Sequence, residues 1–299
     1  MLASALALAW VSTSVSAAVI GTPGMPNIES LGAQQLVLAK AQKNGLTPAD
    51  KKGPFVSNGT GPVNSKIYGK TYAEWTAEWW KWALSFPIDS NPITDTTGEY
   101  CDQGQSGPVW FLAGTNNFTA ERTCTIPAGK AIFYPVVNAL WSECPNSDDQ
   151  NLSDNDVRWI LASWTATGDP ASHLTTTLNA FTSSYYEANL DMPISGLMIP
   201  AVRIQSPVFN TFLPDNSLLK DACPVPPYPT PMPPGKTGRL LSEGHWVMLP
   251  PLKDGEHLLK LHGSGLCTQY LAENGVCNFG DLLFETAVTY HLTVPGGKK

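Results

Sequence analysis

Charge is what this chain has least of. Asp, Glu, Lys and Arg make up 14% of its 299 residues, against about a quarter in an ordinary soluble protein. The charge it has leans acidic, with a formal net of −7, which disfavours nucleic acid and anionic membrane surfaces as partners. Long apolar runs are also missing. No stretch after the N-terminus approaches the roughly 20 apolar residues that cross a bilayer, and the C-terminal Leu292-Thr-Val-Pro-Gly-Gly-Lys-Lys299 lacks a lipid-anchor signal. No cysteine falls in a C-x-x-C pair, which argues against zinc ribbons and thioredoxin-like sites. The sequence has no G-x-S-x-G elbow, H-E-x-x-H helix, Walker loop, G-x-G-x-x-G fingerprint or complete EF-hand loop. These absences remove the readily named enzyme classes, and neither a cofactor nor a bound metal is expected.

What is present points outside the cell. Residues 1–17 combine an apolar run with the small-x-small pattern Val15-Ser16-Ala17, the form of a cleavable signal peptide. The run lacks the usual basic start. The six cysteines, Cys101, Cys124, Cys144, Cys223, Cys267 and Cys277, are even in number, and in an oxidising compartment they would pair. Short loops close most easily, which favours Cys101–Cys124 and Cys267–Cys277 and leaves Cys144–Cys223. Asn58, Asn117 and Asn151 each head an Asn-x-Ser/Thr acceptor for N-glycosylation, available if the host is a eukaryote. A secreted, soluble glycoprotein is the expectation.

Residues 18–66 are rich in Gly, Pro, Asn and Ser and read as an N-terminal arm, with one short helical pattern near 30–43. The remainder, 67–299, reads as one β-sandwich domain, jelly-roll-like, with two helical excursions. Tyr72, Trp75, Trp79 and Trp82 recur at helical spacing before Pro87. A second helix is expected near Asn155–Ala166, opened by a Ser153/Asp156 capping box, with a further short helical or loop segment after Gly168-Asp-Pro. Strands are expected at 108–114, 130–138, 197–212, 240–249, 257–262 and 284–294, with turn residues between them. The proline-rich stretch 224–234 excludes a central strand and reads as a polyproline-like loop.

The run YGKTYAEWTAEWWKW, followed by NPITDTTGEYC, GQSGPVWFLAG and RTCTIPAGKAIFYPVVN, resembles a family of exported, mostly microbial proteins. Its marks are a WxxxWWxW helix and a GPVWFLAG strand. RIQSPVFNTFLPDN, HWVMLPPLKDGEHLLKLHG and AVTYHLTV extend the resemblance over 68–294. It implies export and one structural unit. No activity is established for such proteins, so it implies no catalytic residues.

Two groups of residues carry candidate chemistry. The aromatic helix puts four rings on one face, the pattern of a core stripe, and leaves Trp80 to cap a sugar-binding groove. The loop 89–105 holds Asp89, Asn91, Asp95, Glu99, Asp102, Gln103 and Gln105. Asp95 and Glu99 are the carboxylate pair a glycoside hydrolase would need, or ligands for calcium. Equally, such side chains cap turns. Asp148, Asp149, Asp154 and Asp156 form a second acidic cluster, two of them at a helix start. His173, His245, His257, His262 and His291 would make a metal site only if three converged. Arg122 and Arg203 are each expected to pair with a carboxylate. The leading reading is a non-catalytic extracellular protein binding a glycan or cell-wall polymer through Trp80, Asn91, Asp95, Gln105 and Trp110. The alternatives are a secreted polysaccharide hydrolase using Asp95 and Glu99, and a structural wall or coat protein. Oligomeric state is not encoded legibly.

Overall fold

A strand that is apolar throughout belongs between two layers, whereas one that alternates has a face open to water. The computed structural model describes residues 13–15, 66–116, 119–145, 151–165, 173–178, 201–222, 232–266, 272, 278 and 281–296. Its elements are β1 (Thr13–Val15), α1 (Tyr72–Leu84), β2 (Val109–Phe111), β3 (Thr119–Thr125), β4 (Ala131–Ser142), α2 (Asp154–Thr165), β5 (His173–Leu178), β6 (Val202–Gln205), β7 (Phe212–Leu213), β8 (Gly235–Lys236), β9 (Leu240–Leu249), β10 (Gly255–Leu266) and β11 (Leu282–Val294). Every residue of β4 and β9 is buried. β3 alternates exposed and buried along its whole length.

That difference maps onto two sheets. The first runs β4–β9–β6, with β2 and β1 added in parallel along the outer edge of β4. The second runs β3–β11–β10–β5 and contains one parallel pairing, β3 with β11. Ile132, Tyr134, Val247 and Leu249 of the first sheet pack against Leu259, Leu261, Val288, Tyr290 and Leu292 of the second. The fold is a mainly-β sandwich. The other face of the first sheet is covered too: Phe133, Leu140, Trp246 and Met248 pack with the aromatic side chains of α1. The result is three layers, helix, sheet, sheet, with the outer face of the second sheet open. Thr13–Val15 lies within the stretch expected to be removed as a signal. It pairs along the β4 edge opposite β9, so the β4–β9–β6 ladder does not run through it.

α1 begins at a full capping box in which Thr71 and Glu74 satisfy each other's backbone N–H groups. The helix is buried nearly all round, Thr76, Ala77 and Trp80 included, because Phe209, Leu213, Leu219, Ala222 and Met232 also pack into its cluster. Three indoles tie it to three distant segments. Trp75 Nε1 donates to the Ile67 carbonyl at 2.8 Å, Trp79 to Leu112 at 2.9 Å and Trp82 to Gln103 at 2.8 Å. Each bond satisfies an N–H that would otherwise be stranded in the core. The second helix also forms, with Ser153 and Asp156 capping it as expected.

Two strands differ from the sequence expectation. β3 was not anticipated, although Thr-Ala-Glu-Arg-Thr-Cys-Thr alternates cleanly. The segment after Asp169 contains β5 rather than a short helical or loop segment, because pairing with Leu259–Ser264 overrides weak local preference. The expected 197–212 strand is represented by the separate β6 and β7, with 197–200 outside the described residues. The arm pattern at 30–43 and the proline-rich loop 224–231 also lie outside them.

Pro135 sits in the middle of β4, where a proline removes a ladder donor. The register slips there, from Pro135 opposite Trp246 to Val137 opposite His245, as a β-bulge. The bulge brings β4 close over Gly244: a Cβ on that glycine would lie 2.5 Å from the Val137 carbonyl oxygen and 2.6 Å from Asn138 Cβ. Gly244→Ala should therefore destabilise the protein by about 1–3 kcal/mol, the usual cost of overpacking. Urea unfolding monitored by tryptophan fluorescence checks this; an unchanged midpoint would mean that β4 moves aside freely.

Candidate functional site

The loop 89–105 is built around its own polar side chains. Asn91 Nδ2 donates to the carbonyls of Ala83 at 2.7 Å and Phe86 at 3.1 Å, and its Oδ1 accepts from Ile93 N at 3.0 Å. It thereby closes the C-terminal end of α1 onto the loop. Asp95 Oδ1 accepts from Thr97 N, Thr97 Oγ1 and Gly98 N at 2.7–3.0 Å, and Oδ2 accepts from Tyr100 N at 3.0 Å. Burial opposes the charge on Asp95, but the bonds from Tyr100, Thr97 and Gly98 outweigh it and hold the carboxyl below its ordinary value. Gln105 acts as an extra strand residue for β2, accepting from Phe111 N at 2.9 Å and donating to Phe111 O at 2.8 Å. Glu99 and Asp102 are exposed, and Asp89 accepts from Asn216 Nδ2 at 2.6 Å.

The five residues expected to contact a ligand are therefore not assembled into one exposed site. Trp80 is 2% exposed and lies in the helix-side cluster, whereas Trp110 is 6% exposed and lies between the sheets. Neither indole offers a face to a sugar ring. Asn91 and Gln105 spend their polar atoms on the backbone. With both Asp95 oxygens engaged and its proton affinity lowered, Asp95 is a poor general acid.

What holds the loop down is Arg122. It is 1% exposed, on the inward face of β3. Among the described residues it makes no ion pair, contrary to the expected carboxylate partner. Instead Nε donates to Asp95 O at 2.8 Å, Nη2 to Ile93 O at 3.3 Å, and Nη1 to Ala113 O at 2.8 Å, Gly114 O at 3.0 Å and Tyr290 Oη at 2.7 Å. Tyr290 in turn donates to Ala113 O at 2.7 Å and accepts from Ala113 N. Burial raises the Tyr290 phenol above its ordinary value, keeping that proton in place. The sequence pattern could not separate a carbonyl-capped arginine from a salt-bridged one, since both put a cation in an alternating strand. Two further ties lock the loop to β3: the Cys101–Cys124 disulfide, and Gly98 at φ +94°, so close that a Cβ would meet Thr123 O at 2.2 Å. None of the described cysteines is free. Cys144 Sγ lies 3.9 Å from the carbonyl of Ala222, the residue before Cys223; Cys223, Cys267 and Cys277 lie outside the described residues. Arg122→Met should cost at least about 3 kcal/mol, because it strands several buried carbonyls at once. Comparing its thermal midpoint with that of the disulfide-free Cys101→Ser/Cys124→Ser variant shows which tie dominates.

A second polar group interrupts the core where no charge belongs. In β9 the run Ser242-Glu243-Gly244-His245 crosses the middle of the central sheet. Arg203 meets His245 in register and Gln205 meets Glu243. Arg203 pairs as expected, with Glu243, and Gln205 Nε2 also donates to that carboxylate at 2.8 Å. Glu243 is 1% exposed. Burial, and secondarily the Arg203 charge, lower the His245 imidazole to about 3, so it is neutral at physiological pH. The signal was legible in principle: two titratable residues two apart in an apolar strand are rare unless paired. The unfolded chain binds a proton near pH 6.5 and the folded chain does not until about pH 3. Stability should thus fall as pH drops through that window, by roughly 1.4 kcal/mol per pH unit. His245→Gln should flatten this acid limb in chemical denaturation at pH 7, 5.5 and 4; a parallel slope in the variant would refute the assignment.

Among the described residues, the outer face of the second sheet is an exposed, mostly polar surface. It carries Thr119, Glu121, Thr123 and Thr125 of β3, Glu285, Thr289, His291 and Thr293 of β11, and Glu256, Lys260 and His262 of β10. His291 contacts Glu121 at 2.8 Å, His262 contacts Glu285 at 3.1 Å, and Thr293 donates to Glu256 at 2.9 Å. The four histidines whose side chains are described do not converge on one site. His245 is in the core of the first sheet, and His257 Nε2 contacts Lys253 O at 2.7 Å. Among the described residues no three His, Cys, Asp or Glu side chains are placed to hold a metal ion. Asp154 pairs with Arg239 and Asp156 caps α2; Asp148 and Asp149 lie outside the described residues. Asn151 is exposed just before α2, and Asn58 and Asn117 lie outside the described residues. No helix of the described residues is long and apolar enough to cross a membrane. No protein-family model matches the chain, and comparison with curated proteins finds no match.

Proposed function

We infer that this is an exported, non-catalytic binding protein whose ligand, a glycan or cell-wall polymer, docks on the outer face of the β3–β11–β10–β5 sheet. The observation that carries the reading is the contrast between two polar surfaces. In the loop 89–105 Asn91, Asp95 and Gln105 spend their hydrogen-bonding groups on neighbouring backbone and side-chain groups, while Glu99 and Asp102 are exposed at its surface. On the outer sheet face hydrogen-bonding side chains stand in rows, with the Glu121 side chain 74% exposed and those of Glu285 and His291 about half exposed. Rows of Thr, Glu and His supply donors and acceptors at the strand spacing of about 4.8 Å, suited to an extended hydroxylated polymer. The Cys101–Cys124 disulfide supports an oxidising compartment. The hydrolase alternative is less well supported, since Asp95, one of its two carboxylates, is buried, held below its ordinary value and accepts four hydrogen bonds.

The test is co-sedimentation with a panel of insoluble wall polysaccharides. Binding should fall at least about fivefold in Thr123→Arg/Thr289→Arg, which blocks the face sterically, and stay unchanged in Glu99→Gln/Asp102→Asn on the loop. Binding lost from the loop variant and kept by the face variant would reverse the assignment.

A further inference from the structure

We propose that Cys144 is bonded to Cys223 and that this disulfide is a redox-operated latch, clasping the far end of the strap 206–222 over α1. Its closure rests on the reading that the chain is exported, because an oxidising compartment supplies the oxidant.

The pairing is argued from Cys144. Its side chain is 3% exposed and disulfide-bonded, while Cys101 and Cys124 hold each other. The partner is therefore Cys223, Cys267 or Cys277. Two observations choose among them. Cys144 Sγ lies 3.9 Å from the carbonyl oxygen of Ala222. Successive Cα atoms are about 3.8 Å apart, so this contact brings Cys223 within the Cα separation of roughly 4.4–6.8 Å that a disulfide spans. Cys144 and Ala222 also pack in the same cluster, on the helix side of the central sheet. Cys267 follows Leu266, the last residue of β10, whose sheet lies on the opposite side. Cys267 and Cys277 close a short loop on each other instead.

The two ends of the strap are held differently. The near end is woven into regular structure. Phe209 and Leu240 exchange backbone hydrogen bonds at 2.8 and 3.0 Å, Thr237 N donates to Thr211 O at 2.9 Å, and β7 pairs with β8. Beyond Leu213 the strap joins no sheet among the described residues. It meets the exit of α1 at a bridge between Pro87 and Ser217, where Ile88 N donates to Asn216 O at 2.8 Å. Leu219 and Ala222 then insert into the aromatic cluster of α1. A segment with few backbone ties opens locally before the rest of a fold. A bond from its end to the end of β4 removes that freedom. The bond closes a ring of about 80 residues, and the entropy it takes from the unfolded chain grows with ring length.

The chemistry is thiol–disulfide exchange. One thiolate of the pair attacks a small-molecule or protein disulfide and forms a mixed disulfide, and the second thiolate then displaces the oxidant's sulfur. The two cysteines give up two protons and two electrons, and the oxidant leaves as two thiols. Before export the pair is reduced and the far end of the strap is free to lift from the side of α1 that carries Trp80. After export it is fixed.

The experiment uses the full chain with all six cysteines, oxidised in a glutathione buffer so that it does not depend on export. Free thiols are alkylated, the chain is digested without reduction, and cross-linked peptides are read by mass spectrometry. A peptide joining Cys144 to Cys223 is expected. Cys144 joined to Cys267 or Cys277, or alkylated, overturns the pairing. The latch is read by hydrogen exchange on the wild type and on Cys144→Ser/Cys223→Ser. Amides of α1 and of 214–222 should exchange at least about tenfold faster in the variant, with those of β10 and β11 unchanged. Unaltered exchange in α1 and the strap overturns the latch. Equal acceleration through both sheets overturns it too, since that is general destabilisation. If the variant does not fold, wild-type chain opened with dithiothreitol takes its place, and the same outcomes decide. Export is read separately, from loss of residues 1–17 in secreted material. A chain that is not exported, yet forms the bond in the glutathione buffer, defeats the export reading and upholds the pairing.

Discussion

A single guanidinium in the interior organises the half of this molecule that looked most like an active site. Arg122 takes four backbone carbonyls and a phenol as its solvent. A buried cation with no ion pair among the described residues is tolerable only when its donors are nearly all satisfied, so the loop 93–95, the chain after β2 and Tyr290 of β11 have to converge on it. The loop's fold then follows. Asp95 turns the backbone, Gly98 lets it approach β3, and the disulfide fixes the result. The same constraint explains why the loop is chemically quiet. A loop that solvates an arginine with its carbonyls, and its own carboxylate with its amides, has little left to offer a substrate.

The central sheet shows the opposite economy. Covered by α1 on one face and the second sheet on the other, β4 and β9 should be apolar, and most of their length is. The polar run at Ser242–His245 survives because each charged group has an answer within the layer: Arg203 and Gln205 for Glu243, and deprotonation for His245. This arrangement makes the core acid-sensitive. Glu243 and His245 are themselves buried, at 1% and 2% exposure.

Much of this was legible beforehand, and the reasons are local. The helix of Tyr72, Trp75, Trp79 and Trp82 follows from its period and its start signal, and α2 from its cap. β4, β9, β10 and β11 follow from apolar runs between turn residues, and the Cys101–Cys124 pair from loop length. Of the missed strands, β3 carried a local alternation interrupted by the buried Arg122, whereas the evidence for β5 lies in a partner. β5 is Thr-rich and weakly patterned, and forms because β10 presents an edge to it. The role of Trp80 was misjudged for a related reason. A helix with one apolar stripe should leave that ring outside the core, but the segment 207–222 wraps the far side of α1 and encloses it.

By itself, then, the sequence determined the class of fold, most of its local elements and the Cys101–Cys124 pair, because period, punctuation and loop length act over short stretches of chain. Only the tertiary structure decided which polar residues are available. Asp95, Asn91, Gln105 and Arg122 read as candidates along the chain, yet each is consumed by a contact with a backbone group brought near by folding. Glu121, Glu256 and Glu285 read as ordinary surface charge, and become one face when three strands align them. Burial and hydrogen-bond saturation are properties of what surrounds a side chain, and in this protein those surroundings come from residues as far as 177 positions away in the chain.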